Sequence, residues 1–108
     1  MASQRFIGMR IPVHSPEDLG LALRAARKSQ KVRLDDAAGS ARVSPVLARQ
    51  VEHGKGSVSI GKVMQLLRET GVTLSADIPD SAVKTYTALR DKGLRPLKPR
   101  KPRAGGGG

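Results

Sequence analysis

Few side chains in this 108-residue chain could do covalent chemistry. His14 and His53 are the only histidines and cysteine is absent. There is thus no thiol or disulfide chemistry, no Cys-based metal site, and no ligand spacing of the H-x3-H kind. His53 reads as a polar residue closing a helix, where an imidazolium suits the negative end of the dipole. Asp35 and Asp36 adjoin, but two acids at a helix start match its dipole more simply than they form an acid pair. Gly54, Gly56 and Gly61 fit no phosphate-cradling loop. The chain is therefore read as a non-enzyme, with no catalytic residue, no metal site and no cofactor.

What remains is recognition chemistry, concentrated in residues 32–55, VRLDDAAGSARVSPVLARQVEHGK. The pattern predicts a helix from Leu34 to Ala41, a turn at Arg42 and Val43, and a second helix opened by Ser44. A serine hydroxyl there can accept from a free N–H two or three residues on. Pro45 follows at the first helical position, where its fixed φ fits and its missing N–H costs nothing. Leu47, Ala48 and Val51 give this helix an apolar side, which leaves Pro45, Val46, Arg49 and Gln50 facing out. His53 and Gly54 end it, since glycine accepts φ > 0.

This stretch resembles the helix-turn-helix of the XRE group of DNA-binding proteins, the group of lambdoid repressors and Cro. Ala38, Val43, Ser44, Glu52 and Gly54 fall on the group's pattern. Ala37 and Ala48 replace larger aliphatics, which predicts a thin core between the helices. Arg42 replaces the turn glycine, at a cost on the order of 1–2 kcal/mol for a left-handed non-glycine residue. Arg49 replaces a small residue and puts a long cation on the outward face. The resemblance implies base readout by Pro45, Val46, Arg49 and Gln50, with Gln50 suited to adenine, Arg49 to guanine and Val46 to thymine methyls. It also implies phosphate contacts from Lys31, Arg33, Ser44 and Lys55. Superposed on the pattern, Arg27 takes the place of an arginine that pairs with the glutamate, here Glu52. A guanidinium fork can hold a carboxylate bidentately and would tie the first helix to the end of the recognition helix.

Charge agrees with a polyanionic partner. The chain carries 20 basic and 9 acidic residues, net +11. Residues 1–94 hold 15 of the basic residues and all 9 acids, net +6, and residues 95–108 hold Arg95, Lys98, Arg100, Lys101 and Arg103 with no acid. That tail, rich in Pro and Gly, cannot bury enough apolar surface to offset ordering and is read as disordered. It is either a basic arm tracking phosphates or a solubilising end. Phe6 and Tyr86 are the only aromatics, which disfavours an RNA-associated protein, since sequence-specific RNA modules usually stack bases on aromatic rings. No apolar run approaches the roughly 20 residues that cross a membrane, and no signal-peptide pattern is seen at the N-terminus. A cytoplasmic protein is expected.

The remaining elements must position that motif. Ile7, Met9, Ile11 and Val13 alternate with polar residues, suggesting an edge strand or arm over residues 1–14, with Pro12 limiting it to an edge. Ser15-Pro16-Glu17-Asp18 is a helix start, and Leu19, Ala22, Leu23 and Ala26 form its buried stripe. Ser59 is expected to cap a further helix with Ile60, Val63, Met64 and Leu67 as its stripe, stopped by Gly71. Val72, Leu74, Ala76 and Ile78 alternate with Thr73, Ser75 and Asp77, a strand signal whose partner is a second copy or the N-terminal strand. Pro79-Asp80 starts a fifth helix with Val83, Tyr86 and Leu89 on one stripe and Gly93 beyond its end.

Ser15-Pro16-Glu17-Asp18-Leu19-Gly20, the helix-turn-helix, Glu52-His53-Gly54-Lys55, and Val63-Met64-Gln65-Leu66-Leu67 leading to Gly71-Val72 together resemble HipB-type antitoxins over residues 15–78. The fold so implied is mainly α, a lambda-repressor-like four- to five-helix domain over residues 15–94 with a helix-turn-helix and a short C-terminal β-strand paired across a dimer. The implied partners are a double-stranded DNA operator, a second copy in a homodimer bonded through Val72, Leu74, Ala76 and Ile78, and a HipA-like Ser/Thr kinase toxin. A stand-alone XRE repressor or a restriction-modification controller would share every feature except the toxin. One outcome follows from charge alone. Deleting residues 95–108 flattens the log–log salt dependence of DNA binding by roughly 0.9 for each phosphate contact the tail makes and leaves base preference alone. An identical slope after truncation means that the tail does not touch DNA.

Overall fold

A computed structural model describes residues 8–93 and Leu97. Its first helix, α1 (Pro16–Ser29), begins where the Ser15 hydroxyl accepts from the Asp18 N–H at 3.1 Å. Gln30 closes it with its backbone and extends its side chain to the Thr70 carbonyl, 2.8 Å away. α2 (Leu34–Ala41) ends at Arg42, which takes the left-handed conformation at φ 60 and ψ 41. The turn is held by Arg42 N–H to Gly39 C=O at 3.1 Å and Val43 N–H to Ala38 C=O at 3.0 Å. These bonds satisfy the last carbonyls of the helix and offset the arginine's backbone strain. α3 (Pro45–Glu52) opens on Ser44, whose hydroxyl accepts from the Leu47 N–H at 3.1 Å. It stops at His53, and Gly54 follows at φ 83. α4 (Ile60–Thr70) is closed by Gly71 at φ 76.

By its internal contacts the chain divides into two units, Met1–Leu74 and Ser75–Gly108. In the first, α1 packs on α3 and α4, and α2 packs on the same two helices. Alanines form much of the core: Ala37, Ala38, Ala41 and Ala48 are buried beside Val43, Val51, Val63, Leu66 and Leu67, and Leu23 is the one large side chain essentially without exposure among the described residues. Small side chains let the helix axes approach. Gly20 lies tight against the end of α3: an added Cβ would stand 2.5 Å from the Val51 carbonyl oxygen and 2.8 Å from that of Glu52.

The second unit contains a 3-10 turn (Asp80–Ala82) and α5 (Val83–Lys92), where the Arg90 guanidinium lies 5.6 Å from the centroid of the Tyr86 ring.

Several sequence expectations need correction. Residues 72–79 carry no strand, and Leu74, Ala76 and Ile78 are exposed while Val72 is half-buried against the core. A strand exists through its ladder, and among the described residues a single chain supplies no second strand. Residues 8–14 likewise have no regular structure and are exposed, so the edge strand expected through Met9, Ile11 and Val13 is not formed. Ser59 precedes α4 but makes no side-chain capping bond. The buried stripe of α4 is Val63, Leu66, Leu67 and Thr70, whereas Ile60 and Met64 are exposed. Thr70 is tolerated inside because its hydroxyl donates to the Leu66 and Leu67 carbonyls at 3.0 and 3.2 Å. Val83, Tyr86 and Leu89 of α5 are exposed, not buried. The expectations for residues 1–7, and for the tail apart from Leu97, lie outside the described residues.

Two glycine substitutions separate helix propensity from packing. Alanine in a helix interior is favoured over glycine by about 1 kcal/mol. Gly39→Ala, with nothing within 4 Å of its Cβ position, raises stability by roughly that amount in urea unfolding. Gly20→Ala pushes a methyl into two backbone carbonyls and lowers stability by about 1–3 kcal/mol. Equal responses at both positions mean that the α1–α3 approach is looser than the structure has it.

Candidate nucleic-acid interface

α3 has two unlike faces. Ala48 and Val51 are buried against α1 and α2, and Leu47 is half-buried. On the other face Pro45, Val46 and Arg49 are exposed and Gln50 is half-exposed, with Val46 66% accessible. Among the described residues, nothing covers this exposed β-branched side chain, which lies close to a proline and a long cation. The Arg49 and Gln50 side chains have no hydrogen-bond or ion-pair partner among the described residues. A helix face of this width suits the major groove, and its polar tips are the groups that can pair with base edges.

The surrounding cations come from the joints between helices. Lys31, at φ 58, lies in the link from α1 to α2 and is exposed, as is Arg33, which precedes α2. The Ser44 hydroxyl accepts from the Leu47 N–H, and its proton can still be donated to a phosphate oxygen. Lys55 is exposed after Gly54, and its backbone N–H bonds to the Gln50 carbonyl at 2.9 Å. The His53 ring Nδ1 lies 2.9 Å from the Arg49 carbonyl. A carbonyl only accepts, so the contact places a proton on Nδ1. His53 thereby caps the helix end. Among the described residues no group of three or more His, Asp or Glu side chains is arranged to hold a metal ion.

The interface is fixed from behind by one ion pair. Arg27 Nε donates to Glu52 Oε2 at 2.6 Å and its Nη2 to Oε1 at 2.9 Å, while Nη1 donates to the Val32 carbonyl at 2.9 Å. The side chains are 12% and 8% exposed. Three elements converge on this one guanidinium: α1 that carries it, the link to α2, and the last residue of α3. The hydrogen bond to Glu52 holds the Arg27 pKa above its ordinary value, burial opposes this, and the charge of Glu52 adds to it.

Sequence comparison bears on what this geometry is for. No protein-family model matches the chain. The uncharacterised HTH-type transcriptional regulator y4mF of Sinorhizobium fredii (strain NBRC 101917 / NGR234) is 36% identical over 67 residues, covering 62% of this chain and 88% of that protein. The chain belongs to the HTH-type transcriptional regulators. A solved structure, that of the clp gene regulator ClgR from C. glutamicum, is similar to this regulator at 32% identity and a TM-score of 0.49, over 55% of this chain and 76% of the other. Among the described residues of the regulator, no helix is long and apolar enough to cross a membrane.

Sequence reasoning brought Arg27 and Glu52 together by their place in a pattern, but not the third contact to Val32 or the reason for Gly20. The signal for Gly20 was available as a glycine inside a strong helix pattern, a position at which close backbone approach is the usual reason.

Glu52→Ala strands a mostly buried guanidinium, and loss of one partner of such a pair costs on the order of 3 kcal/mol. A double-mutant cycle with Arg27→Ala returns most of that as coupling; zero coupling removes the pair from the account. The pH sign follows from the raised arginine pKa. Its stabilisation is complete below the unfolded value and is lost only as pH climbs through the still higher folded value. Ionisation of Arg27 therefore leaves unfolding free energy flat through neutral and moderately alkaline pH.

Proposed function

We propose that this regulator is a sequence-specific repressor, not an enzyme, that reads double-stranded DNA with α3 as a homodimer in the cytoplasm. The observation that carries the reading is the divided surface of α3: one face is sealed into an alanine-rich core, and the other presents Pro45, Val46, Arg49 and Gln50, whose side chains have no partner among the described residues. Arg49 pairs with guanine, Gln50 with adenine, and Val46 packs on a thymine methyl. Lys31, Arg33 and Ser44 hold phosphates and fix register without carrying sequence information. Two copies related by a two-fold axis place their α3 helices about 34 Å apart, in successive major grooves of a pseudo-palindrome. Residues 72–78 are the segment through which the copies meet, since their alternation asks for a partner strand. Promoter occlusion follows from occupancy.

The finer reading is of an XRE-type protein and, within that group, of the antitoxin of a HipBA-like pair that represses its own operon and binds a HipA-like Ser/Thr kinase. It rests on the sequence resemblance over residues 15–78. The identity of the adjacent reading frame and co-purification of a kinase decide it.

The DNA-reading proposal is tested on an operator selected from random duplexes. Arg49→Ala costs roughly 1–3 kcal/mol on that operator and relaxes discrimination at one base pair. If the ratio of operator to random-DNA affinity is unchanged, Arg49 contacts phosphate only and the base-reading role is lost.

A further inference from the structure

An apolar groove opens on the first unit, behind the DNA-reading face. It has a volume of about 380 Å³ and is walled by Leu19, Val58, Val63, Met64 and Leu74. Val51, on the buried side of α3, also lines it, so an occupant here leaves Pro45, Val46, Arg49 and Gln50 open. The lining contains no acid, and its two ionisable groups are His14 and Lys55. Neither side chain has a hydrogen-bond or ion-pair partner among the described residues. The adjoining Ser15 hydroxyl is already bonded to the Asp18 N–H, and the Asp18 carboxylate accepts from the His14 backbone N–H at 3.0 Å, so Lys55 is the cation without a carboxylate beside it. The groove therefore asks for an apolar anchor accompanied by negative charge.

A stretch of that character follows α4. Residues 71–83, GVTLSADIPDSAV, hold Asp77 and Asp80 and no lysine or arginine, in a chain of net charge +11. Ile78 sits between the two acids and is 42% exposed. Both acids are exposed as well.

We propose that the groove receives Ile78 of a second copy of the chain, with the Asp77 and Asp80 carboxylates of that copy set against Lys55 and His14. A second copy is the occupant because every copy carries both the groove with Lys55 at its lining and the exposed acids that complement it. Exchange is reciprocal, so a two-fold dimer fills both grooves with the same contact, the self-complementary arrangement of an isologous interface. It also gives Ile60 and Met64, left exposed along α4, an apolar neighbour. Lys55 is then withdrawn from the phosphate set, which keeps Lys31, Arg33 and Ser44. The inference rests on the homodimer of the proposed function and adds the site by which it closes.

Charge reversal and rescue test the contact by sedimentation velocity. Lys55→Glu and Asp77→Lys each weaken dimerisation about tenfold, the equivalent of about 1.4 kcal/mol, and the combined variant returns to within a few-fold of the parent chain. Rescue by the pair is what a structural defect at either position would not produce. A parent dimer that is unaffected by all three variants overturns the docking and leaves the homodimer standing; a parent chain that stays monomeric overturns both. Ile78→Trp gives the chain its sole tryptophan, whose emission shifts to the blue as concentration drives dimerisation. Emission that stays at the exposed wavelength, or a blue shift already present in the monomer, overturns docking by a second copy.

Discussion

The Arg27–Glu52 pair is the interaction on which the rest of the first unit depends. Its fork geometry admits one relative placement of α1 and the end of α3, and the third donor, to the Val32 carbonyl, extends that constraint to the chain entering α2. A mostly buried pair of this kind is weak evidence for net stability, because desolvation offsets much of the attraction. Its value is directional. With α3 located by its final residue and by the Ser44 cap at its start, both ends of the recognition helix are determined by hydrogen bonds. The small side chains between them need only fill space.

Alanine packing and the Gly20 contact belong to the same design. Short side chains bring backbones close, and close backbones make the ion pair reachable from α1. Larger aliphatics at Ala37 or Ala48 would push the helices apart and lengthen the bonds to Glu52. The Arg42 turn is the counterweight: a residue strained at φ 60 is held by two backbone bonds, so the angle between α2 and α3 comes from main-chain geometry and does not require a glycine.

The helix ends were legible in the sequence because they are local. Ser15-Pro16, Ser44-Pro45 and Gly71 each act through hydrogen bonds or φ values within a few residues. Phase along a helix was less legible. Ile60, Val63, Met64 and Leu67 fit the same spacing template as Val63, Leu66, Leu67 and Thr70, and the choice fell to Thr70 once its hydroxyl found two carbonyls of its own helix. The period-two pattern from Val72 to Ile78 is a strand signal, but among the described residues there is no second strand to complete a ladder. The outward set on α3 was legible because Ala48 and Val51 fix which side is in. The groove beside α4 was not, since it is lined by residues from Val13 to Leu74 that only the tertiary arrangement brings together.

The alanine-rich core has a consequence for the lifetime of the protein. A core in which alanines are four of the ten buried apolar side chains among the described residues gains less from apolar burial than one of larger aliphatics would, and folded proteins in general keep only a small margin over the unfolded state. Any ligand that binds only the native state widens that margin by mass action, by about 2.7 kcal/mol at a hundred times its dissociation constant. For a thin core that increment is a large share of the whole. If the regulator binds DNA only when folded, bound molecules are shielded from proteolysis through the unfolded state while free ones are consumed, and its level then tracks the number of sites it occupies.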